Sequence, residues 1–132
     1  MVLVHVVWAT LRRRAMLPPA FDERLGAIIG SKASEVGCVL LAIGCAADHV
    51  HVLVRLSPSV ALSDLVRRLK GATAHDINER RLMRGRVDWQ SGYWAESVSP
   101  TDTTGLVRYL RAQRSHHDDS HPAEVWSAAD RH

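Results

Sequence analysis

Two histidines separated by one apolar residue are the side chains best placed to do chemistry. His49 and His51 flank Val50 in the run Asp48-His49-Val50-His51-Val52-Leu53-Val54. On an extended strand, alternate side chains point to one face about 6.6 Å apart, so the two imidazoles can share one divalent ion. The intervening valines then face the opposite way, into a core. A histidine pair on a strand is more often structural than metal-binding, so this interpretation needs further ligands.

A second pair of polar side chains lies near the end of the chain. Tyr109 and Gln113 are four residues apart, which places both on one face of a predicted helix. A phenol is a candidate nucleophile and an amide oxygen a candidate metal ligand. His117 extends the same stripe and His116 lies beside it, with a solvated helix end as an equal alternative. Taken alone, the pair is better explained by a packed tyrosine ring and a solvated glutamine.

The elements that must position these side chains follow from hydrophobic periodicity and from Gly and Pro. The pattern predicts strands at 1–10, 38–44, 49–56 and within 89–98, and helices at 19–35, 62–77 and 106–117. This order predicts an α+β fold, a ferredoxin-like split βαβ antiparallel sheet with an added C-terminal helix that carries the tyrosine. In that arrangement helices cover one face of the sheet. Residues 118–132 are expected to form an irregular tail.

Length and composition are those of one ordinary globular domain, 1–132. Of the 132 residues, 46% are hydrophobic and 23% are charged. No apolar run approaches the roughly 18 residues that span a bilayer. The apolar N-terminal segment is followed rather than preceded by Arg12-Arg13-Arg14, which is the wrong order for a secretory signal. We therefore expect a cytoplasmic protein without a membrane partner, with Cys38 and Cys45 reduced and buried.

Positive charge is concentrated in one part of the chain. The formal net charge is only +3, but residues 55–86 contain eight basic side chains against three acidic ones. Such a cluster suits an anionic polymer, and a solvated helix face explains it equally well. The candidate phosphate contacts within it are Arg67, Arg68, Lys70, Arg80 and Arg81.

Four motifs, in this order, resemble a known family. They are Asp48-His49-Val50-His51, Leu69-Lys70-Gly71, Gly92-Tyr93-Trp94 and Tyr109-Leu110-Arg111-Ala112-Gln113. They are similar to those of the HUH-type single-tyrosine transposases of small bacterial insertion sequences, which include relatives associated with repetitive extragenic palindromes. The likeness extends from about His5 to His117. The histidine triplet is only moderately specific, but together with Tyr-x-x-x-Gln on a late helix it is strong.

The resemblance implies a role for each candidate residue. His49, His51 and Gln113 would bind Mg²⁺ or Mn²⁺, and Tyr109 would be the catalytic nucleophile. The implied activity is cleavage and rejoining of single-stranded DNA through a 5′-phosphotyrosine. The implied partners are hairpin-bearing single-stranded DNA and a second copy of the chain in a homodimer. The basic side chains within residues 55–86 would bind the DNA. Imidazole ligands also suit Zn²⁺, so the identity of the metal stays open.

Several alternatives stay open beside this interpretation. In some members of the family the tyrosine helix of one subunit completes the site of the other, and residues 101–105 are a candidate hinge for this. The chain could also be a domesticated relative that processes palindromes, or a non-catalytic DNA-binding regulator. A small metallohydrolase with a third histidine is a further possibility. We expect His5 to be an ordinary core or edge histidine and Asp48 to shape the turn before the histidines.

Overall fold

The computed structural model describes residues 1–82 and 85–113. The strands are β1 (Val2–Ala9), β2 (Val39–Cys45), β3 (His49–Leu56) and β4 (Trp94–Val98), and the helices are α1 (Asp22–Glu35), α2 (Leu62–Glu79) and α3 (Thr103–Arg111). Short 3-10 turns lie at Leu11–Arg13, Pro19–Phe21 and Pro100–Asp102. The predicted α+β class is therefore confirmed.

The four strands form one antiparallel sheet in the order β2-β3-β1-β4. β2 and β3 pair as the predicted hairpin, while β1 lies between β3 and β4. The β1-α1-β2 unit is thus split by β3, which is the ferredoxin-like arrangement that the element order predicts. β1 and β3, the two central strands, are buried along almost their whole length.

The main core lies between one face of the sheet and helices α1 and α2. Val50, Val52 and Val54 of β3 point into it, as their alternation predicts, together with Val4, Val6 and Trp8 of β1. Both helices present apolar stripes to this face, including Leu25 and Ile29 of α1 and Leu65 and Leu69 of α2. Cys38 and Cys45 are buried thiols in the same core.

The other face of the sheet is also covered, which corrects the expectation that helices lie on one face only. Helix α3 packs there through Leu110, which contacts a small apolar cluster formed by Leu3, Ala42 and Leu53. These side chains alternate with the core-facing ones and would otherwise be exposed to water. The two histidines lie on this second face, so α3 covers the face that carries them.

A β-bulge at Leu41 changes which side chains of β2 point toward α3. The register passes from Leu40 opposite Val54 directly to Ala42 opposite Leu53. The extra residue reverses the alternation of the strand. As a result two small residues, Ala42 and Gly44, face α3, and Ile43 faces the main core.

The third helix begins earlier than its apolar stripe predicts. It starts at Thr103, so the segment 101–105 is divided between a 3-10 turn and the first turn of α3. The Ser99 hydroxyl hydrogen-bonds to Thr101 and Asp102 and helps to order this connection. The predicted continuation of the helix to His117, with His116 and the tail at 118–132, lies outside the described residues. Within the described ranges, no helix is long and apolar enough to cross a membrane.

An ion-pair network centred on Asp76 joins α1 to α2. Arg24 donates to both carboxylate oxygens of Asp76, and Arg80 donates to one of them. The hydrogen bonds from Arg24 first, and then those from Arg80, hold the pKa of Asp76 below its usual value of 3.8. The ionised carboxylate therefore stabilises the fold above that pH, and the contribution is lost as the pH falls through the lowered pKa.

Asp76→Asn should accordingly lower the melting temperature at neutral pH by a few degrees. The effect is small because the network is partly exposed to solvent and screened by it. The difference between the variant and the wild-type protein should narrow from neutral to acid pH, as the pH falls through the lowered pKa of Asp76, and should close where the wild-type carboxyl is itself neutral. Thermal unfolding of both proteins across this pH range tests the expectation, which fails if the difference persists in acid.

Candidate active site

The His49 ring is held by hydrogen bonds that run through two further side chains. Its Nδ1 donates to Oδ1 of Asp48 at 2.7 Å, and Arg13 Nε donates to the other carboxylate oxygen, Oδ2, at 2.9 Å. A carboxylate behind an imidazole fixes both the tautomer and the orientation of the ring. The Nε2 atom of His49 therefore carries the lone pair and faces the interior of the site.

The charge state of Asp48 follows from the same contacts. Burial alone would raise the pKa of Asp48, but hydrogen bonds from His49 and Arg13, with the charge of Arg13, outweigh it and the pKa is lowered. The carboxylate is thus ionised at neutral pH and accepts both hydrogen bonds. Asp48 therefore supports the His49 imidazole, which is a role beyond the shaping of the turn that its position predicts.

The segment that delivers Arg13 adopts an uncommon backbone conformation. Arg12 and Arg13 both have φ of +56°, in the left-handed region that costs a non-glycine residue about 1 kcal/mol or more. The segment is anchored by Thr10, whose hydroxyl donates to the carbonyls of Arg14 and Asp48. A strained backbone conformation persists only where surrounding contacts hold it in place. Here the hydrogen bonds of Thr10 and the ion pair between Arg13 and Asp48 hold it, and Asp48 in turn contacts His49.

His51 is supported by a second histidine rather than by a carboxylate. Nδ1 of His51 lies 2.8 Å from Nε2 of His5, and the two rings stack with centroids 5.1 Å apart. Trp94 packs edge-on against His5. His5 is buried, as expected of a core histidine, but it lies beside the site and contacts His51. If His51 uses Nε2 as a ligand, its Nδ1–H must donate to His5.

The donor set fits a single divalent ion. The His49 and His51 ring centroids are 5.0 Å apart, a separation that one ion about 2.1 Å from each ring nitrogen can bridge. The Gln113 amide lies over the same point, with Nε2 3.5 Å from Nε2 of His49. Rotating that amide by half a turn presents its carbonyl oxygen there, the atom that a metal binds. Imidazole nitrogens suit Zn²⁺ and other transition-metal ions, and a carbonyl oxygen suits Mg²⁺ or Mn²⁺, so this donor set does not select one ion among them.

Tyr109 completes the cluster from α3. Its ring is edge-on to His51, with centroids 6.0 Å apart, and its side chain is half-buried. A cavity of about 390 Å³ opens beside it, lined by residues that include His5, Glu96, Asp102 and Leu106. The phenol therefore lies next to the histidine pair and borders a space that a substrate can enter.

The comparison with known families decides what kind of site this is. The family model described as "Transposase IS200 like" matches residues 1–113 of the chain. The chain belongs to this family. The match spans every element that builds the site, from the strand of His5 to Gln113.

Two curated relatives of this IS200-like transposase support the assignment. This chain is 26% identical over 115 residues to the ISDra2 transposase TnpA of Deinococcus radiodurans, and the alignment covers 83% of this chain and 81% of the relative. It is 25% identical over 114 residues to the IS200 transposase of Salmonella typhimurium, covering 83% and 74% of the two chains.

Solved structures share the fold of this IS200-like transposase. A Deinococcus radiodurans protein assigned as a transposase superposes with a TM-score of 0.66 at 27% identity, covering 85% of this chain and 90% of the other. A REP-associated tyrosine transposase bound to a REP hairpin superposes with a TM-score of 0.63 at 17% identity, covering 84% and 65%. The second likeness concerns the fold alone.

The predicted DNA contacts lie away from this cluster in the transposase. Arg67, Arg68 and Lys70 belong to α2, on the opposite face of the sheet, and Arg80 and Arg81 directly follow it. Three of the arginines form ion pairs with acidic neighbours: Arg67 with Asp64, Arg68 with Glu35 and Arg80 with Asp76. Lys70 donates to the carbonyls of Gln90 and Gly92, so it holds the loop before β4. Their DNA-binding role stays a prediction.

Sequence patterns missed two residues that shape the transposase site. Nothing in the run Arg12-Arg13-Arg14 distinguishes the arginine that reaches Asp48, because the choice depends on a left-handed turn. Gly44 did carry a signal, since a glycine inside a strand pattern often marks a close backbone approach. The structure places Leu110 of α3 directly over it.

Proposed function

We propose that this transposase cleaves and rejoins single-stranded DNA through a covalent bond to Tyr109, with a divalent metal held by His49, His51 and Gln113. The observation that carries the proposal is the meeting of a phenol with two oriented imidazoles and an amide, delivered from two separate elements of the fold. Mg²⁺ or Mn²⁺ is the proposed ion. We expect the enzyme to act in the cytoplasm.

The bound metal would polarise the scissile phosphate and offset the charge that grows on its oxygens. The chain's own residues supply the rest. Tyr109 provides the attacking oxygen: a bond forms between that oxygen and phosphorus, and the bond from phosphorus to the 3′-oxygen breaks. The phenol loses a proton and the departing 3′-hydroxyl gains one, so no other reactant is needed. The phosphotyrosine retains the energy of the broken bond, which allows a second strand to be joined.

The orientation of the two imidazoles is maintained from behind. Asp48 and Arg13 hold His49, and His5 holds His51, so both rings keep their Nε2 atoms directed into the site before any ligand enters. Ligands that are fixed in advance lose little freedom when they bind, which favours both affinity and correct geometry.

We further propose that Tyr109 serves the histidines of its own chain. Only four residues separate β4 from α3, and hydrogen bonds of Ser99 and Thr103 order that connection. Helix α3 also buries Leu110 against its own sheet. A helix tied in this way does not need a partner to complete the site, even within the homodimer that the family resemblance implies.

The proposed substrate is single-stranded DNA that carries a hairpin. The basic side chains of α2 would contact hairpin phosphates from the far face of the sheet, while the single strand reaches Tyr109 on the near face. Two of three alternatives differ from this proposal in their chemistry. A domesticated palindrome-processing relative would share the chemistry, a DNA-binding regulator would form no adduct, and a metallohydrolase needs a third histidine ligand. Among the described residues, no group of three His, Cys, Asp or Glu side chains can hold a metal.

The test is a covalent-trapping experiment with the full chain and hairpin-bearing single-stranded DNA from its native flanking sequence. In Mg²⁺ or Mn²⁺ we expect a protein band that shifts on a denaturing gel and is absent when the metal is chelated. A label at the 3′ end of the DNA should stay with the protein, and a label at the 5′ end should be released. Retention of the 5′ label would reverse the proposed polarity, and no adduct with either label would overturn the proposed function.

A further inference from the structure

We propose that Gly44 sets the distance between the tyrosine helix and the proposed metal ligands, and that a larger residue at this position slows catalysis. The inference rests on the proposed function, because it concerns how Tyr109 and Gln113 reach His49 and His51. Gly44 touches no substrate in this scheme. It is a positioning residue that acts through α3.

The geometry at Gly44 leaves no room for a side chain. An ideal Cβ built there would lie 2.9 Å from Cα and 3.0 Å from the carbonyl carbon of Leu110, with the carbonyl oxygen of Leu110 closer still. All three are backbone atoms, so no change of side-chain rotamer relieves the contact. An added methyl group must push the helix outward by about 1 Å to restore ordinary van der Waals separation.

The position of this close contact ties it to the site. Gly44 lies directly opposite His51 in the β2–β3 register. Leu110, which covers Gly44, immediately follows Tyr109 and precedes Gln113 by three residues. A displacement of α3 at Leu110 therefore moves the nucleophile and the third ligand together, whereas His49 and His51 stay on the sheet.

The bulge at Leu41 shows how β2 is adapted to this contact. With regular alternation, Leu41 and Ile43 would face α3 in place of Ala42 and Gly44. Two large side chains would then separate the helix from the sheet. The extra residue turns the two smallest side chains of the strand toward α3, which is the arrangement that a close helix requires.

Gly44→Ala should reduce the rate of adduct formation by roughly 100-fold, the cost expected when a reacting group is misplaced by about 1 Å. Affinity for the hairpin DNA and the far-UV circular dichroism spectrum should be unchanged. The matched control is Gly30→Ala on α1, where the nearest atom to an added Cβ is a Leu40 methyl at 3.7 Å. That variant should form the adduct at the wild-type rate.

A direct measurement of position keeps the inference separate from activity. The chain has two tyrosines, so 3-fluorotyrosine labelling gives two ¹⁹F signals, and Tyr109→Phe assigns them. In Gly44→Ala the Tyr109 signal should shift without metal, and its broadening by Mn²⁺ should weaken because that effect falls with the sixth power of distance. The Tyr93 signal should stay unchanged in Gly44→Ala and in the control variant Gly30→Ala.

The outcomes separate the two proposals. A wild-type protein that forms no adduct overturns the proposed function whatever the variants do. If the wild type reacts and Gly44→Ala reacts equally fast, or if its Tyr109 signal does not move, Gly44 does not position the helix. Loss of the adduct with a displaced Tyr109 signal and retained DNA binding supports the inference.

Discussion

Tyr109→Phe is expected to form no detectable covalent adduct with hairpin DNA. The change deletes one oxygen, the atom proposed to attack phosphorus, and leaves the ring that packs beside His51. Loss of a nucleophile lowers an enzyme's rate by roughly 10³-fold or more. The variant should keep its melting temperature and its affinity for hairpin DNA. Denaturing gels over a long time course, together with a binding titration on the same DNA, measure both parts of the expectation.

Tyr93→Phe is the matched control because it removes the same atom from the chain's other tyrosine. Tyr93 packs against the main core on the far side of the sheet from the histidines. Its replacement should therefore leave the adduct unaffected. A small metallohydrolase would behave differently, since Tyr109→Phe would retain activity there. An adduct that survives in Tyr109→Phe would contradict the assignment of the nucleophile.

A mixture of two inactive chains provides the second large effect. If Tyr109 acts on the histidines of its own chain, a heterodimer of Tyr109→Phe and His49→Ala chains contains no complete site and should form no adduct. If the helix acts across the dimer, the same heterodimer holds one complete site and should react. The two chains can be co-expressed with different affinity tags and purified through both.

The matched control is a heterodimer of one wild-type chain and one chain that carries both substitutions. Action within a chain leaves this heterodimer one complete site, whereas action across the dimer leaves none. The two heterodimers must therefore give opposite results. Adduct in the first and none in the second would refute the proposal that α3 serves its own chain. Failure to recover any heterodimer would refute the homodimer itself.

The fold was predictable from the sequence because its strongest signals are local. Buried central strands read as continuous apolar runs, and the stripes of α1 and α2 repeat at helical spacing. Helix α3 was harder to place. Its apolar stripe is short, with Leu110 its one fully buried residue, and only tertiary packing determines the face of the sheet on which it lies.

The two halves of the candidate site differed in how far the sequence revealed them. The orientation of His49 and His51 could be predicted because two strand residues separated by one other residue point to the same face. Their support by Asp48, Arg13 and His5 does not, because it arises from contacts across strands and from a strained turn. The approach of Tyr109 depends on the contact between Leu110 and Gly44, and the only sequence signal of that contact is a glycine inside a strand pattern.

The bulge at Leu41 has an evolutionary consequence. Because Leu41 is the extra residue of the bulge, deleting its codon would leave Gly44 opposite His51. Inserting one codon between Ala42 and Ile43 would instead place Ile43 opposite His51, facing α3. Tyr109, Gln113 and both histidines would all be retained, yet the helix could no longer approach them. A single in-frame insertion that alters none of the reacting residues would thus convert an active transposase into an inert protein with an intact set of motifs. Within this family, intact motifs do not by themselves distinguish a mobile element from a silenced one.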